Sequence, residues 1–360
     1  MKRERILGAA DLEAGILGGL LLSSGGSGMS SSARHRALGE AALASGKVRM
    51  VPLDALDPEA LLVVATAVGA PGTSGARTKP SDAIAAARLL QTACGKPLAA
   101  SMVSHVPGLY AWTIAAGLGI PLADAGTNGR AHPTERMGGM GLASDPSATL
   151  WQAAYSEAAA GEPELSVVAH GHPSKTASIL RAASVQNGGL INAVRGPHTA
   201  AFVRSKGAPG AVSLAIGLGE AMLSAKGSAR VAAAAKFLGG EVMIDGVVES
   251  NDVRYGGGFD VGTVVVHAGT RRVALGVYNE YMTADEDGKR LGTFPDFVGT
   301  LDPASGDPVA ISALKPGTPV AVVATSRERI PLGAGAWDRG VYAEVETAMG
   351  RELSKYVFNT

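Results

Sequence analysis

Apolar positions along this chain follow two regimes. Up to about residue 163, continuous apolar runs of strand length alternate with stretches of helical length. Leu61–Ala67 reads LLVVATA, the run expected of a strand buried on both faces. Val48–Pro52, Pro97–Val103 and Leu122–Ala123 read as further short strands. Asp11–Leu22, Ser30–Ala44, Ser81–Ala93 and Gly108–Gly117 read as helices between them, with Asp11 and Ser81 as expected N-caps. Strands and helices in alternation predict an α/β sheet with right-handed crossovers.

Ser144–Pro163 interrupts this pattern, with a helix expected over Leu150–Ala160, and the domain boundary is placed there. Leu165–His170 then reads as a strand, Ser174–Ser184 as a helix, and Thr199–Lys236 as mostly helical with a break at Gly207–Gly210. Beyond residue 240 the period shortens. Glu241–Ile244, Val247–Arg254, Phe259–His267, Arg272–Tyr278, Thr283–Ala284, Gly292–Phe297, Val309–Ile311 and Pro319–Ala324 read as strands. Turn pairs such as Asp245-Gly246 and Asp287-Gly288 separate them, which predicts a small barrel or sandwich. Val341–Tyr356 reads as a closing helix. The expected fold is an α/β N-terminal domain over residues 1–163 with glycine-rich loops. A second α+β domain over 164–360 follows, β-rich after residue 240.

Composition narrows the function. A chain of 360 residues is long for one core, so two domains are the expectation. Lys plus Arg and Asp plus Glu both number 32, leaving no global field for nucleic acid or anionic membrane. Aromatics at 4% argue against base-stacking platforms. The apolar run Gly15–Leu22 is too short for a membrane span, and no cleavage-like end follows it. The one cysteine, Cys94, cannot close an intrachain disulfide, and a cytoplasmic protein is expected. Cys94 itself reads as a small packing residue.

Candidate chemistry gathers in Leu122–Met140, LADAGTNGRAHPTERMGGM. Asp124 follows a buried run directly, and ligands in open α/β sheets bind beyond the carboxyl ends of strands. Asn128, Arg130, His132, Glu135 and Arg136 follow on a glycine-rich loop. Ser23-Ser24-Gly25-Gly26-Ser27-Gly28, at the end of the first helix, can aim backbone N–H groups at an anion or a carbonyl. It lacks the lysine of a phosphate loop and the preceding strand of a dinucleotide fingerprint, so there is no nucleotide signature. His105 lies in another strand-end loop. His170-Gly171-His172 resembles a metal pair of amidohydrolases. Two imidazoles without a third ligand support a plain turn instead, and the metal and cofactor are left unknown. In the β-rich tract, Asn279-Glu280 and Pro295-Asp296 are the candidates. Asn279 offers a donor and an acceptor, while Glu280 and Asp296 could steer a proton.

The string D-x-G-x-x-G-R-A-x-P, from Asp124 to Pro133, resembles a signature of the S-methyl thiohydantoin desulfurase family. Leu17–Gly28 is similar to that family's glycine-rich run, and Gly69–Pro71 to a short family turn. Tyr278–Glu280, Thr293–Phe297 and Leu301–Pro308 are similar to its NE…PD…D-x-x-x-G-x-P run. These segments cover most of the chain in order. Gly126, His132 and Thr134 stand where the family usually has aspartate, phenylalanine and glutamate.

The resemblance implies a hydrolase-type enzyme acting on a small hydantoin-like cyclic amide. Asp124 or Glu280 would be the base and His132 an acid. Arg130 and the Gly25, Gly26 and Gly28 amides would stabilise charge, and Asn128, Asn279 and Asp296 would hold the ligand. The carboxylates missing at positions 126 and 134 keep a second class in play: a non-catalytic small-molecule-binding protein or a hydantoinase accessory subunit. The expected partner is a small heterocycle, with neither nucleic acid nor membrane. Whether the chain forms a homo-oligomer is left open.

Overall fold

The computed structural model describes residues 3–26, 32–69, 78–157, 163–256 and 259–358. The first half contributes β1 (Arg5–Leu7), α1 (Ala9–Leu22), α2 (Ser32–Ser45), β2 (Val48–Val51) and β3 (Leu61–Gly69). α3 (Pro80–Cys94), β4 (Ala100–Val103), α4 (Leu109–Leu118) and β5 (Leu122–Gly126) complete the crossovers. Strands β2, β5, β4 and β3 lie side by side and parallel, as the alternation predicts. Their apolar side chains are covered by α3 and α4 on one face, where Trp112 and Leu90 are fully buried.

Local chemistry corrects two caps. Gly8, not Asp11, is the N-cap of α1. Asp11 sits inside the first turn, and its carboxylate accepts the Gly8 N–H at 2.8 Å. Pro80 occupies the first position of α3, where its missing N–H costs nothing, so Lys79 is the cap rather than Ser81. The Asp82 carboxylate accepts the Lys79 N–H at 2.7 Å.

The segment after Leu150 is a larger correction. Residues expected to be helical form β6 (Leu150–Ser156), which pairs with β7 (Leu165–Gly171) and β8 (Leu190–Thr199). Alanines 153 and 154 favour a helix locally, but here they are fully buried between neighbouring strands, and tertiary pairing overrides propensity. β8 was not expected at all. It runs antiparallel to β3 and joins the hairpin of β6 and β7 to the parallel strands. The main sheet therefore continues through residue 163, because β6 and β7 pair across it.

α5 (Pro173–Gln186), α6 (Ala200–Lys206), the short β9 (Ala208–Pro209), α7 (Ala211–Leu223) and α8 (Ala229–Phe237) follow. α1 and α7 pack so closely that a Cβ on Gly18 would strike the Ala215 carbonyl, and one on Gly219 would strike that of Ala14.

The β-rich tract comprises β10 (Glu241–Asn251), β11 (Arg254–Gly256), β12 (Phe259–Ala268), β13 (Arg271–Tyr278) and β14 (Glu280–Glu286). It ends with β15 (Lys289–Thr293), β16 (Phe297–Leu301) and β17 (Pro319–Thr325). One antiparallel sheet results, in the order β15-β14-β13-β12-β10-β17-β16, with β11 on β12. It curls until β14 meets β16, where the Tyr281 and Thr300 hydroxyls lie 3.2 Å apart.

The Asp287-Gly288 turn has both residues at positive φ, 49° and 76°, as a two-residue hairpin requires. Asp245-Gly246 makes no turn and is absorbed into β10, with a bulge nearby. Ile311–Ala313 is a 3-10 turn rather than part of a strand. The closing helix is two: α9 (Tyr342–Met349) stops at Gly350, φ 62°, before α10 (Ser354–Phe358). Among the described residues no helix is long and apolar enough to cross a membrane.

Candidate functional site

The end of α1 is the hub. Leu21 and Leu22 are fully buried, and the chain then reverses through Ser24 at φ 54° and Gly25 at φ 79°. A Cβ on Gly25 would stand 2.6 Å from the Tyr281 ring, so only glycine fits this turn. The turn binds both halves of the protein. The Tyr281 N–H donates to the Ser24 carbonyl, the Ile311 N–H to that of Gly25, and the Ala131 N–H to that of Leu22, each at 3.0 Å. Its carbonyls face protein donors. Gly28 lies outside the described residues.

Arg130 locks the same junction. It is fully buried; Nε donates to the Ala131 carbonyl at 3.0 Å, and Nη1 donates to the Asp296 carbonyl. Nη2 donates to Ser24 Oγ at 3.0 Å and to the Tyr281 carbonyl at 3.2 Å. The guanidinium also lies over the Phe294 ring, 4.9 Å from its centre. Burial lowers its pKa to about 10, so it stays cationic. These bonds run to protein groups rather than into an open cleft.

The buried Asn128 and the half-buried His132 belong to the same layer. Asn128 is 1% exposed; its Oδ1 accepts the Gly333 N–H at 3.0 Å, and its Nδ2 donates to the Met137 carbonyl at 3.2 Å. His132 Nδ1 lies 3.3 Å from that Nδ2, and its ring meets His105 edge-on, centres 5.4 Å apart. Burial, then the neighbouring His105, Arg195 and Arg130, push the His132 pKa well below its usual value. His132 is therefore neutral at pH 7.

The two aspartates are occupied. Asp124 lies within β5, not at its end. Its Oδ1 accepts the Ser213 N–H at 2.9 Å and its Oδ2 the Ser213 hydroxyl at 2.6 Å. That places its carboxylate on the N-terminus of α7 as a cap. Asp296 is gripped bidentately by Arg327, Nε to Oδ1 at 2.8 Å and Nη2 to Oδ2 at 3.0 Å. Burial opposes its ionisation, but hydrogen bonds from Arg327 and Thr293 outweigh it and hold the pKa down.

Glu280 differs from both. Its Oε2 is buried with no hydrogen-bond partner among the described residues. A Cβ on Gly26 would stand 3.1 Å from its Cγ and 3.2 Å from its Oε1, so the side chain lies against the glycine turn. Burial raises its pKa to about 8; Arg130 opposes the rise and Asp260 adds to it. Asn279, at φ 61°, is tied on both sides. Its Oδ1 accepts the Asp260 N–H at 2.9 Å and its Nδ2 donates to the Pro133 carbonyl at 3.1 Å.

A cavity of about 360 Å³ opens here, with Gly25, Asn251, Asp260, Asn279 and Lys315 in its wall. A smaller one of about 80 Å³, lined by Ser23, Thr66, Ser104 and His105, sits beyond the carboxyl ends of β3 and β4. A larger groove of about 800 Å³ flanks the Asp296–Arg327 pair. That pair is already satisfied, whereas Glu280 has an unpartnered oxygen and directly follows Asn279, which lines the 360 Å³ cavity.

His170 and His172 stand apart from this junction. His170 stacks on Trp151, centres 4.4 Å apart, and His172 Nε2 lies 3.2 Å from the Asp145 carbonyl. Among the described residues no group of three His, Cys, Asp or Glu could hold a metal ion. Asp260, which the sequence reading does not single out, also lines the 360 Å³ cavity. The available signal was a lone carboxylate in the apolar strand FDVGTVVVHA.

Fold and junction together define a two-domain α/β and antiparallel-β protein, with a buried carboxyl beside a glycine turn. The chain belongs to the S-Me-THD-like family: the model of that family's N-terminal domain matches residues 10–158, and that of its C-terminal domain residues 172–330. A crystal structure of a protein from Chromobacterium violaceum has the same fold, with a TM-score of 0.69 and 22% identity over 96% of each chain. No curated protein matches this chain.

Proposed function

We propose that the protein hydrolyses an S-methylated thiohydantoin or a closely related cyclic amide, releasing methanethiol. The observation that carries this reading is Glu280: a buried carboxyl oxygen without a partner, against a glycine turn whose Gly25 lines a cavity. An unpaired buried carboxyl oxygen is costly, and the cost is retained where a ligand will meet it.

In the proposed reaction, water oxygen bonds to the ring carbon that carries sulfur. The C–S bond breaks, the ring keeps a carbonyl at that carbon, and the departing thiolate takes a proton. A carboxyl that holds its proton up to about pH 8 suits Glu280 to deliver it. His132, kept neutral by burial, is poorly suited to that task. Asp124, with both oxygens on Ser213, is assigned to the fold rather than to the water.

A second reading is binding without turnover. Gly126, where the family usually has aspartate, has Val103 Cγ2 and the Asn128 carbonyl 3.0 Å from any added Cβ, so a side chain enters only if these neighbours give by a few tenths of an ångström. Thr134, in place of glutamate, accepts the Met137 N–H at 3.2 Å. Purified protein incubated with an S-methylated thiohydantoin separates the readings. Thiol release supports hydrolysis; saturable heat of binding without thiol supports the second reading; neither overturns both.

A further inference from the structure

We propose that Asp260 is the general base that takes the proton from the attacking water, in the cavity it shares with Gly25 and Asn279. The inference rests on the hydrolytic reading above and supplies the group that reading lacks.

Asp260 opens into space. The cavity of about 360 Å³ is lined by its side together with Gly25, Asn251, Asn279 and Lys315. That is room for several waters or one small ring. Its carboxylate accepts no hydrogen bond and meets no cation at ion-pair distance among the described residues, unlike Asp124 on Ser213 and Asp296 on Arg327.

The backbone beneath it is held. The Asp260 N–H donates to Asn279 Oδ1 at 2.9 Å, and the Asn279 N–H donates to the Asp260 carbonyl at 2.8 Å. Asn279 adopts φ 61° to make this exchange, a conformation that costs free energy in a residue with a side chain. Its neighbour in sequence is Glu280, so the same turn sets both carboxyls.

The pair has unlike neighbours. Both residues are half-buried, but Glu280 lies against Gly26 with its Oε2 buried, and burial there raises its pKa against the pull of Arg130; Asp260 lines the cavity, where Lys315 is the other charged group in the wall. Two neighbouring carboxyls in different environments divide into acid and base.

The proton balance closes. Asp260 takes one proton from water as its oxygen bonds to the ring carbon; the other water proton passes from the new hydroxyl to the ring nitrogen as the C=N bond becomes single and the carbonyl forms. Glu280 gives one to the thiolate as the C–S bond breaks. Return of the proton from Asp260 to Glu280 restores the starting state, and no oxidant or cofactor is consumed.

The experiment compares the parent protein with Asp260→Ala and Asp260→Glu, following methanethiol release from an S-methylated thiohydantoin at pH 7 with and without added formate. Asp260→Ala is expected to lose about a hundredfold or more in kcat, with KM within a few-fold. Formate, a carboxylate small enough for the cavity, is expected to restore part of the loss, and Asp260→Glu to fall between. Full turnover by Asp260→Ala overturns the assignment while the hydrolytic reading stands. So does a loss that formate does not restore and Asp260→Glu does not lessen, with a lowered melting temperature. A parent that releases no thiol overturns the hydrolytic reading and Asp260 with it.

Discussion

Arg130 Nη2 donates to Ser24 Oγ at 3.0 Å, joining the loop after β5 to the turn after α1 across 106 residues of sequence. The same nitrogen reaches the Tyr281 carbonyl on β14, so one guanidinium fastens three segments that meet at Glu280. Arg130→Lys cannot reproduce this fork, because an ammonium lacks its planar, divergent donors. The expected outcome is a loss of about 2–4 kcal/mol of stability, read as a lower urea midpoint. A variant as stable as the parent but with weakened ligand binding would return Arg130 to the ligand-anchoring role its position in the sequence suggests.

Glu280 makes stability and activity depend on pH in a defined direction. Its folded pKa, about 8, lies above the ordinary carboxylate value, so the folded chain binds the extra proton between the two. This contribution is fully present below the ordinary carboxylate range and is lost as pH rises through about 8. Glu280→Gln is expected to flatten that slope in urea titrations at pH 6 and pH 9. With Glu280 as the acid, kcat/KM of the parent should fall above about pH 8, and the variant should lose that descending limb.

The buried histidines act in the opposite sense. Burial pushes His105 and His132 down, and His198 to about 4. The unfolded chain takes up these protons first, at about pH 6.5. Their stabilising contribution is therefore complete above that value and is lost as pH falls through the folded values. The melting temperature is expected to drop between pH 6.5 and pH 4.5, and His198→Gln should lessen the drop.

Asp124 caps α7 through Ser213. Asp124→Ala removes both acceptors and is expected to cost about 1–2 kcal/mol, the range measured for lost caps. Turnover measured below the melting range should stay within a few-fold of the parent. A hundredfold loss of turnover at unchanged stability would make Asp124 the base.

Gly219→Ala tests the packing behind the hub. The added Cβ would strike the Ala14 carbonyl on α1. Overpacking of this kind costs about 1–3 kcal/mol or more. Because α1 leads directly into Ser24 and Gly25, substrate affinity should fall together with stability; unchanged values of both would show that the helices can separate without cost.

Hydrophobic period and turn chemistry made much of the fold legible. Leu61–Ala67 stands out as a buried strand because seven apolar or small residues in a row suit a strand covered on both faces. Asp287-Gly288 stands out as a hairpin turn because both positions need positive φ. Leu150–Ser156 was misread because two alanines favour a helix in isolation, while the strand depends on partners at 165–171 and 190–199. Among candidate site residues, Glu280 was legible as a polar residue near the Asn279 turn. Asp260 carried only a weak signal, a lone carboxylate in an apolar strand, which fits a side chain facing water equally well.

The sequence by itself determined the alternation of elements, the β-rich character after residue 240 and the glycine turn at Gly25–Gly26, because these follow from side-chain period and allowed backbone angles within a few residues. Only the tertiary structure decided the surroundings of the acidic groups. Asp124, Asp296, Asp260 and Glu280 carry the same chemical group. One meets a helix N-terminus, one an arginine, one a cavity and one the glycine turn at Gly26. The charge a carboxyl carries depends on its desolvation and its neighbours, and those arrive from other segments, 89 residues away for Asp124 and Ser213 and 31 for Asp296 and Arg327.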